Sequence, residues 1–314
     1  RGIGNALWSC RDWLEEEPFL LVYGDVLCTG NPFIPLLDAF SESGQDMALI
    51  TLPTSSGEFG NVYLDPEMRI SRLVEKPLGD QANYVFAGMF VLQRPFIALL
   101  ERHRQSMSHA FEDLIEDSVL KACLWEEGWM DIIYPWHILE ANRMLMEDWN
   151  QSRIDETVIL KGPVQMDGPV VIEAGVTIES GSVLKGPCYI GRDSYIGNNV
   201  LIRENTFLGA GSMVGYGCEL KNSMAFGSND IGRLSFIGDS VLGAETRLGP
   251  GLTTVNHLPD FSPVHCEIEG ENVNTGLSKL GAFIGDEVQL GARHTLAPGC
   301  IVPVAEQVPD NITL

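Results

Sequence analysis

Over the first half of the chain, short apolar runs alternate with amphipathic stretches. Phe19–Tyr23, Met47–Thr51 and Tyr84–Leu92 are apolar runs of strand length and predict strands. Pro35–Phe40 and Pro95–Arg104 read as helices, each opened near a proline. Pro135–Trp149 predicts another helix, with Trp136, Leu139, Met144 and Leu145 marking an apolar side. Strands alternating with helices indicate an α/β domain, placed at residues 1–150.

The second half follows a different rhythm. Bulky apolar residues recur every sixth position: Leu160, Met166, Ile172, Ile178, Leu184, Ile190, Ile196, Ile202, Leu208, Val214, Leu220 and Phe226. Two residues before each stands a more compact one, from Val158 to Cys218, with the larger Met224 last. A period of six fits neither an amphipathic helix nor a simple alternating strand. It fits a solenoid in which each hexad forms one short parallel strand and a turn. The expectation is a β-helix over residues 157–314. The phase is read as slipping after Phe226 and resuming at Ile284, Leu290, Leu296 and Val302. Pro250–Lys279 is read as an excursion loop between them.

Composition sharpens this division. Cutting after Asp155 leaves 10 of the 33 glycines before the cut and 23 after it, so the change is one of backbone style. The 314 residues carry a formal net charge of −23, which argues against a nucleic-acid or anionic-membrane binder. An anionic substrate would need a local cationic pocket or a divalent metal. No apolar run approaches the ~20 residues of a membrane span. The seven cysteines are scattered and lack C-x-x-C spacing, which predicts a reduced, cytoplasmic chain without a zinc site.

Several short strings carry candidate chemistry. Phe19–Leu27 ends a buried strand in Gly24-Asp25, and Trp129-Met130-Asp131 follows a second apolar segment. Taken singly, each aspartate suits a turn or cap. Together they suit Mg²⁺, which typically takes one or two carboxylates plus substrate phosphates. With Gly2-Ile3-Gly4-Asn5-Ala6, Phe59-Gly60, Glu75-Lys76-Pro77 and Phe86-Ala87-Gly88, these strings resemble, in order, the second half of a sugar-1-phosphate nucleotidylyltransferase domain. The resemblance spans Gly2 to about Asn142. It implies a Rossmann-like α/β fold, a nucleoside triphosphate and a sugar-1-phosphate as substrates, and release of pyrophosphate. It implies Asp25 and Asp131 as Mg²⁺ ligands, and Glu75 and Lys76 as contacts to the sugar and its phosphate. Gly2, Gly4, Gly60 and Gly88 would bring backbone close to nucleotide or sugar.

There are departures from the family pattern. Ile3 stands where a base-contacting threonine is common, and Phe86 where a sugar-binding asparagine is common. The glycine-rich triphosphate loop that opens the family domain has no counterpart after Arg1. The expectation is a domain incomplete at its N-terminus, in a truncated stretch of a longer protein.

The hexad region resembles the left-handed parallel β-helix of hexapeptide-repeat transferases. The domain order resembles archaeal-type bifunctional enzymes that pair nucleotidyl transfer with acetyl transfer. That resemblance implies a homotrimer and acetyl-CoA. Gly232–Ser240 and Lys279–Gly285 match the acetyltransferase strings, and Arg203, Lys221, Arg233, Asn256 and Lys279 fall on site positions. Arg233 stands where the family has a histidine base, and Phe236 where it has a tyrosine. A guanidinium cannot accept a proton near neutral pH, which argues against acetyl transfer by that route. Arg233, Arg203 and Lys221 are read instead as a possible anion site, and His257 as a possible substitute base. Two other readings stay open: a non-catalytic scaffold or regulatory subunit, and an acyltransferase with altered chemistry.

Overall fold

The computed structural model describes residues 2–53, 60–74 and 84–311, and the chain divides into two units at Ile132/Ile133. In the first unit, the strands are β1 (Phe19–Val22), β2 (Val26–Cys28), β3 (Met47–Thr51), β4 (Asn61–Leu64), β5 (Ile70–Val74), β6 (Val85–Leu92), β7 (Lys121–Trp125) and β8 (Trp129–Asp131). The helices are α1 (Gly2–Ser9), α2 (Phe33–Ser43), α3 (Phe96–Arg102) and α4 (Met107–Glu116). The central sheet has the order β1-β6-β3-β7. It is mixed: β6 runs antiparallel to β1 and β3, while β3 and β7 are parallel.

All five residues of β3 are buried, as a strand covered on both faces requires. Successive side chains point to opposite faces. Ala48, Ile50, Phe90 and Leu92 therefore feed one core with Leu7, Phe96, Leu100 and Phe111 from α1, α3 and α4. Met47, Leu49, Met89 and Val91 feed the other core with Leu36 of α2 and Trp129 of β8. The helix α2 stops at Gly44, which adopts a left-handed φ of 64° and donates its N–H to the Phe40 carbonyl at 2.8 Å.

The second unit begins with α5 (His137–Met146) and continues as a solenoid of three parallel sheets with eight, seven and eight strands. Bulky residues meet their own kind one coil on: Leu160 beside Ile178, Ile178 beside Ile196, Ile196 beside Val214. Most of them fill the interior. Leu160 is exposed instead, in the end strand of its sheet.

The hexad count needs two corrections. Phe226 is 48% exposed, and its neighbour Ala225 is 2% exposed and faces inward. The step from Leu220 is thus five residues, because the corner Lys221-Asn222-Ser223 is one residue shorter than Arg203-Glu204-Asn205-Thr206 below it. A second five-residue step separates Ile237 from Leu242. With these steps the repeat runs on through Ile231, Ile237, Leu242, Leu248 and Thr254, all buried. The excursion therefore starts after the strand Thr253–Thr254, not at Pro250, and ends before the strand Phe283–Ile284. Within it, the strands His265–Ile268 and Glu271–Asn274 form an antiparallel hairpin. Val264 and Cys266 pack with Trp136, Leu139 and Phe283, which joins excursion, α5 and solenoid in one apolar cluster.

Candidate functional site

Backbone hydrogen bonds bring three of the strings singled out in the sequence together. β2 and β8 pair antiparallel with Val26 opposite Asp131, and the Ile132 N–H donates to the Asp25 carbonyl at 2.8 Å. The two aspartates, about a hundred residues apart in sequence, thus mark the same end of one strand pair. The Tyr23 N–H donates to the Gly88 carbonyl at 2.8 Å, and the Trp129 indole N–H donates to the Ala87 carbonyl at 3.0 Å. Gly88 holds φ at +75°, and a Cβ there would lie 2.9 Å from Val26 and 3.1 Å from Tyr23. Only glycine permits this close crossing of β6 and the Tyr23–Val26 segment. Gly24 faces open space.

Burial, and then the nearby Asp25 charge, push the Tyr23 phenol up to about 12. The donor set suits a hard cation, since it offers two carboxylates. No group of three or more His, Cys, Asp or Glu that could hold a metal occurs among the described residues. Two protein carboxylates, with water and phosphate completing the shell, is the usual arrangement for Mg²⁺.

The other expected contacts of this unit fare differently. Gly60 directly precedes β4. Gly2 is exposed, whereas Gly4 is buried and its missing Cβ makes room for the Gln105 carbonyl. Gly4 is therefore explained by packing of α1 on the α3–α4 turn. Phe86 is half-buried, 5.2 Å from the Phe90 ring and 5.3 Å from the Phe111 ring. Phe59, Glu75, Lys76 and Pro77 lie outside the described residues.

In the solenoid, the two short steps and the start of the excursion stack at one corner. Asp239, 5% exposed with φ at 49°, is the hub of that corner. Its Oδ1 accepts from Asn222 Nδ2 at 2.6 Å, its Oδ2 accepts from Asn256 Nδ2 at 2.6 Å, and Lys221 Nζ stands 3.6 Å from Oδ2. The Leu280 N–H, next to Lys279, donates to the Asn256 carbonyl at 2.9 Å. Lys221, Asn256 and Lys279 are thus brought together. Arg203 stands at this corner one coil below, paired with Glu219 at 3.1 Å and Glu204 at 3.7 Å. Asn222 is not among the residues expected from the sequence, and Asp239 enters there only within the Gly232–Ser240 string. The five-residue steps were the signal for both.

Arg233 does not join them within one chain. It follows the strand Asp230–Ile231 and precedes Phe236–Gly238, so it turns a different corner from Lys221. The expected anion site of Arg233, Arg203 and Lys221 is not assembled, and two of its three cations already have carboxylate partners. His257 Nδ1 lies 3.0 Å from the Leu258 carbonyl, and its ring stacks on Phe261 at 4.7 Å.

Comparison with known proteins fits both units. Residues 1–148 match the nucleotidyl transferase family, and residues 184–312 match the GMPPB C-terminal domain family. The bifunctional protein GlmU of Methanocaldococcus jannaschii is 32% identical over 307 residues, covering 95% of this chain and 72% of its own length. The chain belongs to the GlmU-type nucleotidyltransferase family. A second member, from Methanococcus maripaludis strain C7, is 36% identical over 309 residues, with 95% of this chain and 72% of that protein covered. A Sulfurisphaera tokodaii relative is 29% identical over 310 residues, covering 95% and 74%. It is named a bifunctional sugar-1-phosphate nucleotidylyltransferase/acetyltransferase. Membership accounts for a nucleotidyltransferase unit followed by a β-helix in one chain.

Proposed function

We propose that this GlmU-type chain transfers a nucleotidyl group from a nucleoside triphosphate to a sugar-1-phosphate. A phosphate oxygen of the sugar attacks the α-phosphorus, a new oxygen–phosphorus bond forms, and the α–β bridging bond breaks as pyrophosphate leaves. The observation that carries this reading is the pairing of β2 with β8, which sets Asp25 and Asp131 at one strand end beside Gly88. The two carboxylates would hold Mg²⁺, which neutralises charge on the phosphates. The open space at Gly24 would admit substrate close to backbone. Glu75 and Lys76 are assigned the sugar and its phosphate, with Lys76 as a point charge. Positioning and charge neutralisation do most of the work in such a transfer.

The test is pyrophosphate release by the protein over a panel of nucleoside triphosphates and sugar-1-phosphates with Mg²⁺. Asp25→Asn and Asp131→Asn should each lower kcat by roughly 10²-fold or more, as loss of a charge-stabilising group does. Omission of Mg²⁺ should do the same. The proposal fails if no pair reacts and Asp25→Asn leaves nucleotide and Mg²⁺ binding unchanged.

Acetyl transfer through a histidine base is not part of this reading, because position 233 holds arginine. For the β-helix we infer a trimer formed through its exposed coil faces; a monomer mass in sedimentation would refute that. A cytoplasmic location suits the seven free cysteines.

A further inference from the structure

We propose that Asn61 reads the sugar: its carboxamide hydrogen-bonds an oxygen carried by the ring of the sugar-1-phosphate, a specificity contact that rests on the nucleotidyl-transfer reading. Asn61 opens β4 and is 2% exposed. Its amide nitrogen is buried with no hydrogen-bond partner among the described residues. A buried polar group left unpaired has given up its hydration without return, which is why such groups are rare in folded proteins. Asparagine is also disfavoured in strands, where a β-branched residue would pack better. Asn61 thus goes against both burial and local propensity, and a position that breaks both rules without structural gain points to function.

Strand geometry fixes where the amide lies. Val62 stands opposite Tyr84 in an antiparallel bridge, and both belong to the core of Phe90 and Phe111. Side chains alternate between faces along a strand, so Asn61 takes the other face, level with Val85. Val85 and Ala87 belong to the core that holds Trp129, whose indole N–H donates to the Ala87 carbonyl at 3.0 Å. Trp129 begins β8, and Asp131 ends it. Asn61 therefore shares a face of the sheet with the strand pair that carries Asp25 and Asp131. On the other side of Val85 stands Thr51, the last residue of β3 and 4% exposed.

The neighbours in sequence agree. Gly60 directly precedes Asn61, and Val74, its partner across β4 and β5, directly precedes Glu75. Phe86 takes the opposite face, its ring 5.2 Å from that of Phe90, and brings no polar group to this one. The chemistry of the amide narrows the ligand. A carboxamide both donates and accepts, and a half-turn about χ2 exchanges the two atoms. It suits a neutral oxygen, a ring hydroxyl or an acyl-amide carbonyl, whereas the phosphate calls for cations.

Calorimetry tests it. The protein, with Mg²⁺ and saturating α,β-methylene analogues of the nucleoside triphosphates, is titrated with hexose-1-phosphates and their deoxy and deacylated analogues. Removal of one hydroxyl or acyl group from the best-bound sugar should weaken it at least tenfold. Asn61→Leu should weaken the intact sugar by a similar factor, erase the discrimination against that analogue, and leave affinity for the nucleotide analogue within about twofold. Its melting temperature should equal or exceed that of the wild type, since no buried amide is left unpaired. Asn61→Val, smaller and suited to a strand, should behave alike if leucine overfills the site. Unchanged sugar affinity and discrimination in a folded variant would overturn the proposal and assign the amide to a buried water. Equal weakening of sugar and nucleotide would overturn it as well, since that is the signature of a structural role. Sugar binding that depends on Asn61, without pyrophosphate release in the turnover assay, would sink nucleotidyl transfer and leave the contact standing. No binding of any sugar-1-phosphate by the wild type would overturn both.

Discussion

Asp239 shows how a single side chain can organise a corner. Its carboxylate is buried, and two amides and an ammonium converge on it from two other segments of chain. A buried carboxylate is tolerated only when its oxygens are satisfied, and here the partners belong to adjacent coils and to the excursion. Asp239→Ala would leave Lys221 without its countercharge and two half-buried amides without their acceptor. The expected loss is about 3 kcal/mol in chemical denaturation, the order found when one partner of a buried charged network is removed. Asp239→Asn should lose less, and a loss below about 1 kcal/mol for the alanine variant would refute the hub. Tyr23 makes a pH-dependent case. Burial and Asp25 raise its phenol from 10 to about 12 in the folded state. Between those values the unfolded chain has lost the proton and the folded chain retains it, so stability falls as pH rises through that window. It is full below pH 10. Tyr23→Phe should remove about 3 kcal/mol of that alkaline loss, and one phenol should vanish from the ultraviolet titration near pH 12. Loss of a phenol that titrates near pH 10 instead would place Tyr23 in water.

At the scale of elements, much was legible because periodicity is a local property. β1, β3 and β6, and most of the inward residues of the solenoid, follow from strand-length apolar runs and from the period of six. The failures were equally physical. Phe226 kept the period by coincidence of side chain, while the backbone had already shortened its corner by one residue. A fixed frame therefore read a phase slip where the fold shows two five-residue steps. The apolar character of Phe86 could not reveal whether it met a ligand or the aromatic core of Phe90 and Phe111. Arg203, Lys221 and Arg233 look equivalent as cations in sequence. Their corners and their carboxylate partners exist only in three dimensions. Asp25 and Asp131 were legible as a pair because each closes an apolar segment, and the strand pairing supplied the reason they meet.

For the molecule as a whole, the division into units matters most for α5. A reading from glycine content places the change of style after Asp155, whereas contacts divide the chain at Ile132/Ile133. Trp136 and Leu139 of the intervening segment are 5% and 3% exposed. They pack on Val241, Val264, Cys266, Leu280 and Phe283, and the Asn142 side chain donates to the Asn205 carbonyl at 2.8 Å. Composition could not show this, because a helix covering a solenoid face has the sequence of any amphipathic helix. A fragment starting at Ile133 should therefore fold as a soluble β-helix with a single cooperative transition. A fragment starting at Thr157 would uncover the partners of Trp136 and Leu139. At roughly 1.5–3 kcal/mol for each large apolar side chain, the two buried residues alone account for about 3–6 kcal/mol. The shorter fragment should melt well below the longer one and bind a hydrophobic dye. Equal melting temperatures would mean that α5 belongs, energetically, to the nucleotidyltransferase unit.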